Sequence, residues 1–261
     1  MALTVVLLAA GYATRLYPLT KDRPKALLPF GRATQGRAPA GQIPPRVILD
    51  DVCRSLKDLA DVRTCVLVTN HRFAEQFRRW QQARRFPVRV LDDGTETAET
   101  RLGAIRDLDL ARKLGQPQND ILVIGTDNLF TWSVADFVDQ ARRHAPHPSI
   151  ALWEASSTDA ATQFGVVQRD ATSRIITFVE KSAQPPSKEV ALCVYYFPAA
   201  MCGEIQRFLD EGGHADAPGY FIQWLVRQGI VYGIMMPGAW YDIGTVETYE
   251  TVRGEWLHRT E

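Results

Sequence analysis

Two cations and a glycine stand close together near the start of the chain. In "LLAAGYATRLYPLTKDRPKALLP" (7–29) an apolar run reaches Gly11, and Arg15 and Lys25 follow on a stretch rich in proline, threonine and charge. A glycine turn at the end of a buried strand presents backbone N–H groups, and such amides suit phosphate oxygens. Arginine adds a forked set of donors and lysine a point charge, so together they would neutralise a polyphosphate. The stretch lacks both the G-x-G-x-x-G of dinucleotide binding and the G-x-x-x-x-G-K-S/T of a P-loop. Taken by themselves, one arginine and one lysine on a loop read more readily as solvated surface charges.

Such groups work only on a rigid frame. The runs "LTVVLLAA" (3–10), "TCVLVTN" (64–70), "FPVRVLD" (86–92) and "DILVIG" (120–125) are nearly all apolar, as strands covered on both faces are. Between them, helical spacing appears over 46–60, 72–85, 101–114 and 133–145, the last with Ser133 as N-cap. This alternation predicts βαβ units and an α/β, doubly wound, mostly parallel mixed sheet in three layers, α/β/α. The second half differs. It reads as two strands within 164–181 around the turn "DATS", a strand at 191–197, helices over 199–211 and 218–228, a strand at 231–236, and a helix from Thr245. The segment 31–46 holds glycines, prolines and arginines without periodicity and reads either as a mobile lid near the first motif or, more readily, as a surface insertion.

Composition narrows the partners. The chain has 261 residues, is 46% hydrophobic, and carries 30 basic against 30 acidic residues. A core of good size is therefore expected, while a non-specific nucleic-acid binder would show a basic excess. No apolar run reaches the ~18 residues of a membrane span, so no membrane partner is expected. "ALTVVLLAAG" has the size of a short secretory core, but no Lys or Arg precedes it, and it reads as a strand. Cys53, Cys65, Cys193 and Cys202 form no C-x-x-C and sit in apolar segments, as free thiols in a reducing, cytoplasmic setting do. His144 and His147 flank a proline on a loop and read as structural rather than metal ligands.

The opening stretch closely resembles the signature of the sugar-1-phosphate nucleotidyltransferases (nucleotide-sugar pyrophosphorylases), with Ala13 where that family commonly has glycine. Further matches follow in order: "VIGTDNLF" (123–130), "FGVVQRDATSRIITFVEKS" (164–182) and "GAWYDIGTVETY" (238–249). The resemblance implies a Rossmann-like single domain over 1–261, with a nucleotide-binding half (1–130) and an acceptor-binding half (131–261). It implies that Ala9, Ala10, Gly11, Tyr12, Ala13, Thr14 and Arg15 cradle a nucleoside triphosphate, with Arg15 on the β- and γ-phosphates and Lys25 at the reacting phosphates. Asp127 and Asp242 are carried over as ligands to Mg²⁺, which needs only one or two protein carboxylates beside phosphate and water. Gly165, Glu180 and Lys181 are carried over to the acceptor, Lys181 to its phosphate.

The implied reaction is attack of an acceptor phosphate oxygen on the α-phosphorus of an NTP, with pyrophosphate leaving. That chemistry needs positioning and charge neutralisation rather than a protein nucleophile. "DDGTETAETRLGAI" (92–105) occupies the place where the family reads the base, with Thr100 or Arg101 toward base or ribose and a close backbone approach at Gly103. The family's glutamine reader is not evident there, which leaves the base open. A cytidylyltransferase acting on a phosphorylated alcohol or phosphonate, and a non-catalytic sensor of nucleotide sugars, are the competing readings; a sensor would be expected to have lost Arg15, Lys25, Asp127 or Asp242. "DLD" (107–109) imitates the D-x-D of metal-dependent glycosyltransferases but lies in a helical pattern and reads as solvated. Asp50–Asp51 and Asp92–Asp93 read as structural. The oligomeric state, a homo-oligomer included, is not legible.

Overall fold

The computed structural model describes residues 1–31, 43–114 and 118–259, so most of the insertion expected at 31–46 lies outside the described residues. The strands, in chain order, are β1 Leu3–Leu8, β2 Val62–Thr69, β3 Arg89–Asp92, β4 Asp120–Gly125, β5 Asn128–Phe130, β6 Ser149–Glu154, β7 Gly165–Arg169, β8 Ile175–Glu180, β9 Glu189–Phe197, β10 Tyr232–Met235 and β11 Trp240–Asp242. The helices are α1 Ile48–Arg54, α2 His71–Arg84, α3 Ala104–Leu114, α4 Val134–Arg142, α5 Thr158–Ala161, α6 Cys202–Asp210, α7 Pro218–Gln228 and α8 Val246–Arg259.

The main sheet has the order β10-β6-β9-β4-β1-β2-β3, with β7 joining β9 and carrying β8. β3, β2, β1 and β4 run parallel. β9 is antiparallel to both β4 and β6, and β10 is parallel to β6, so the sheet is mixed. Alternation along β1 explains the layers. Leu3, Val5 and Leu7 pack into one core with Phe73, Phe77 and Trp80 of α2 and Phe137 of α4; Val6 packs into the other with Leu108 of α3 and Phe221 of α7. The chain leaves β1 toward β2 on one side and later pairs β4 on the other. The crevice between the carboxyl ends of β1 and β4 is therefore the topological switch point, where ligands collect in such sheets.

Several expectations shift. Helix α3 starts at Ala104 rather than 101, because Gly103 is in the left-handed region at φ +91° and breaks the helical path before it. Regular α-helix over 46–60 stops at Arg54, after which i→i+3 bonds such as Leu56 N to Cys53 O take over. Ser133 does cap α4, its Oγ accepting from Asp136 N at 3.1 Å. β6 was not anticipated, and β5 and β11 are three residues each. All four cysteines are free thiols. Among the described residues no helix is long and apolar enough to cross a membrane.

Candidate active site

The loop after β1 has a distinctive hydrogen-bond balance. Its carbonyls are used: Ala10 O accepts from Asn70 Nδ2 at 2.9 Å, and Ala13 O accepts from Leu16 N and from Thr20 Oγ1. The amides of Gly11, Tyr12, Ala13 and Thr14 donate to no group among the described residues. Four adjacent unspent donors at the end of a central strand form an anion-binding concavity. A Cβ built on Gly11 would meet nothing within 4 Å, so glycine there keeps open the space these amides border. Ala13 takes the left-handed conformation (φ 49°, ψ 44°) that glycine adopts without strain. Ala9 joins the strand frame through its amide on Val68 O, and Thr14 and Arg15 lie exposed in the 3₁₀ turn that follows.

A cleft of about 370 Å³ opens beside this loop, bordered by Gly11, Ala13, Lys25, Thr126 and Asp127. Lys25 Nζ donates to Asp127 Oδ2 at 2.7 Å and to the carbonyl of Ile243 at 3.0 Å. The small β5–β11 ribbon explains why Asp242 is there too. Asn128 pairs with Asp242 across it, and Ile243 N donates to Asp127 O at 3.1 Å. Arg15 reaches the same spot: a Cβ on Gly244 would lie 2.9 Å from Asp242 Oδ2 and 3.5 Å from Arg15 Nη2. The structure therefore brings together Arg15, Lys25, Asp127 and Asp242, which are spread over most of the sequence.

The two carboxylates differ electrostatically. Burial raises the Asp127 carboxyl, but Lys25, beside it and hydrogen-bonded to it, outweighs burial and holds it below the usual carboxylate range. Burial, then the charge of Asp127, push Asp242 up to about 6 against the opposing pull of Lys25, Arg15 and Lys181. No hydrogen-bond donor among the described residues meets the Asp242 carboxylate. Two recessed, mutually repelling carboxylates, one without a donor, are a donor set that suits a hard cation with oxygen ligands.

The residues carried over to the acceptor gather at the end of β8. Glu180 ends β8 between two glycines: a Cβ on Gly165 would lie 2.9 Å from its Oε2, and one on Gly219 only 1.8 Å from it. Burial raises the Glu180 carboxyl and Lys181 opposes that. Lys181, at φ 48°, turns the chain out of the strand while its amide holds Phe164 O. Its ammonium has no hydrogen-bond or ion-pair partner among the described residues.

The base-side residues are held by contacts within the protein. Thr100 Oγ1 bonds within its own turn, to Thr97 O at 3.1 Å. Arg101 is paired with Asp216, and the close approach at Gly103 is to protein, since a Cβ there would lie 2.6 Å from Ala215 O. "DLD" is a correction: Asp107 and Asp109 are buried, not solvated. As the i, i+2 spacing requires, they face apart. Asp109 meets Arg112 and Lys113, whereas Asp107 faces Asp93. Asp50 and Asp51 are structural, Asp50 accepting from Trp80 Nε1 and Arg84, and Asp51 from Arg46 and Arg54.

Sequence reasoning missed two contributors. Asn128 donates to Asp127 Oδ1 at 2.8 Å and accepts from Trp240 Nε1 at 2.8 Å, so it sets the rotation of Asp127. Its position next to Asp127 was the available signal. Tyr12 donates to Thr95 O at 2.9 Å and ties the phosphate-side loop to the base-side segment; no local pattern announces that contact.

Fold and site together define a Rossmann-like α/β protein of the nucleotidyltransferase type. The sequence profile described as "Nucleotidyl transferase" matches residues 4–258, and the chain belongs to that family. It is 28% identical to a glucose-1-phosphate adenylyltransferase of Mycobacteroides abscessus, over 94% of this chain and 64% of that protein. It is 25% identical to a mannose-1-phosphate guanyltransferase of Pichia angusta, over 92% of this chain and 60% of that one. The chain thus spans somewhat under two thirds of these relatives. A Bacillus anthracis structure described as a putative glucose-1-phosphate thymidylyltransferase in complex with a sucrose superposes with a TM-score of 0.78 at 20% identity, covering 98% of this chain and 96% of that one. A UDP-glucose pyrophosphorylase complexed with UDP-glucose gives 0.77 at 16%, covering 99% and 100%. These two likenesses show the fold.

Proposed function

We propose that the chain transfers a nucleotidyl group from a nucleoside triphosphate to a sugar 1-phosphate and releases pyrophosphate. The observation that carries this reading is the meeting of four unspent loop amides with Arg15, Lys25, Asp127 and Asp242 at one cleft. The amides of Gly11 to Thr14 and the Arg15 guanidinium bind the triphosphate. Lys25 neutralises charge at the α-phosphate as the acceptor oxygen approaches and pyrophosphate departs. Lys181 holds the acceptor phosphate, offsetting the repulsion of two anions brought together. Glu180, whose carboxylate meets no donor among the described residues, accepts hydrogen bonds from hydroxyl groups of the sugar.

Asp127 and Asp242 fit Mg²⁺ and are the residues that would hold it. When bound, the ion supplies charge neutralisation and Lewis acidity at phosphoryl oxygens. In this reading residues 1–130 serve the nucleotide and 131–261 the acceptor, within one domain acting in the cytoplasm. The relatives' names point to glucose 1-phosphate and mannose 1-phosphate as the first acceptors to try. The test is pyrophosphate release over ATP, GTP, CTP, UTP and dTTP against both sugar phosphates with Mg²⁺. Release from one or more pairs is expected; silence from every pair would favour a sensor of nucleotide sugars instead.

A further inference from the structure

We propose that Asp216 is a positioning residue which, clamped by Arg101, holds the start of α7 and its Gly219 against Glu180 and so fastens the acceptor subsite to the base-side segment. The proposal rests on the transferase reading above. Arg101 places Nε and Nη2 on the two carboxylate oxygens of Asp216, at 2.7 and 3.2 Å, and Nη1 on Ala98 O at 2.7 Å. This forked geometry fixes a carboxylate in orientation as well as distance.

The backbones are joined at the same point. The first amides of α3, Ala104 and Ile105, donate to Asp216 O at 3.3 Å and Ala215 O at 3.0 Å. The acceptor-side segment thus caps a helix of the nucleotide side, and Gly103 permits the approach because any Cβ there would strike Ala215.

The start of α7 carries the clamp to the acceptor side: Asp216 lies two residues before Pro218, which opens α7, and a Cβ on Gly219 would lie 1.8 Å from Glu180 Oε2. The Glu180 carboxylate accepts no hydrogen bond among the described residues, so packing against α7 rather than a donor sets its place. Asp216 anchors that packing, because the Arg101 guanidinium locks it in place. A fixed start of α7 keeps Glu180 in place before the acceptor arrives, which lowers the ordering cost of binding. An exposed ion pair contributes little to stability, so the pair's value is positional.

The test is a double-mutant cycle of Asp216→Asn and Arg101→Gln, assayed with the fastest nucleotide and sugar-phosphate pair of the matrix above. Each single variant should raise KM for the sugar phosphate about tenfold, with KM for the nucleotide within about twofold, and the double variant should be no worse than the worse single. Effects that multiply in the double variant, or a rise confined to the nucleotide KM, overturn the proposal. Amide hydrogen exchange at Ala104 and Ile105 reads the clamp without substrate. Protection should fall in both variants, and unaltered protection overturns the clamp whatever the activity. Silence of the unaltered protein across the matrix overturns the transferase reading and, with it, the acceptor role of Asp216, while exchange still decides the clamp.

Discussion

Lys25 and Asp127, 102 residues apart in sequence, meet at 2.7 Å between Nζ and Oδ2, and the same ammonium also donates to the Ile243 carbonyl beside Asp242. One cation therefore ties the loop after β1 to the end of β4 and to the end of β11. Removing it leaves two recessed carboxylates facing each other. Lys25→Ala should lower pyrophosphate release by about 10²-fold or more, the scale of losing one preorganised charge-stabilising group. It should also cost about 1–3 kcal/mol of stability, because Asp127 keeps its Asn128 donor but loses its charged partner. A steady-state assay and a urea titration measure both; a full rate in Lys25→Ala would remove this residue from the chemistry.

Gly219 stands in the first turn of α7 against the Glu180 carboxylate. A methyl group 1.8 Å from Oε2 must displace it. Gly219→Ala should raise KM for the acceptor about tenfold and leave that for the nucleotide unchanged, the pattern of a lost binding contact on one substrate. Alanine is the better helix former by ~1 kcal/mol, so a lower melting temperature is not expected to explain the effect. Equal changes for both substrates would contradict the acceptor role of Glu180.

Ala13 bears the left-handed conformation that the resembled signature assigns to glycine. A left-handed non-glycine residue costs roughly 1–2 kcal/mol, and glycine gives back part of that in unfolded-chain entropy. Ala13→Gly should therefore stabilise the protein by a few tenths to about 1 kcal/mol in urea unfolding. A destabilised variant would show that the loop relaxes away from this conformation in solution.

Asp107 is buried against Asp93, and burial, with the charge of Asp93, pushes its carboxyl up to about 8. A carboxyl whose folded pKa lies above its unfolded value holds its proton longer in the folded state. Its contribution to stability is complete at low pH and is lost as pH rises from the unfolded value, ~4, through 8. Asp107→Asn lacks this loss. The stability difference should move in the variant's favour between pH 5 and 8, approaching ~1.4 kcal/mol per pH unit for one proton. A difference that stays flat with pH would mean that Asp107 ionises freely in the folded protein.

The legible features were the local ones. The near-continuous apolar runs announced β1, β2 and β4, because a strand covered on both faces carries its signal in its own residues. Arg15, Lys25, Asp127 and Asp242 were readable because each lies in a short motif. β6 was harder: "SIALWE" is only six residues long and follows Pro148 directly, so its run carries little period of its own. β5 and β11 are too short for any period and exist because they pair with each other. The burial of Asp107 depends on Asp93 from another segment, and the Arg101–Asp216 pair spans 115 residues. Such relations are set by packing between elements, which periodicity along one element does not encode.

The most direct test follows the α-phosphate. The protein is incubated with Mg²⁺, a sugar 1-phosphate and the matching nucleoside triphosphate labelled at the α-phosphorus, beside Asp127→Asn and Asp242→Asn with unchanged circular dichroism. The account predicts that the label appears in a nucleotide sugar with one pyrophosphate released per product, and that both variants fail to form it. Label that stays in the nucleotide, or full transfer by either variant, would contradict it.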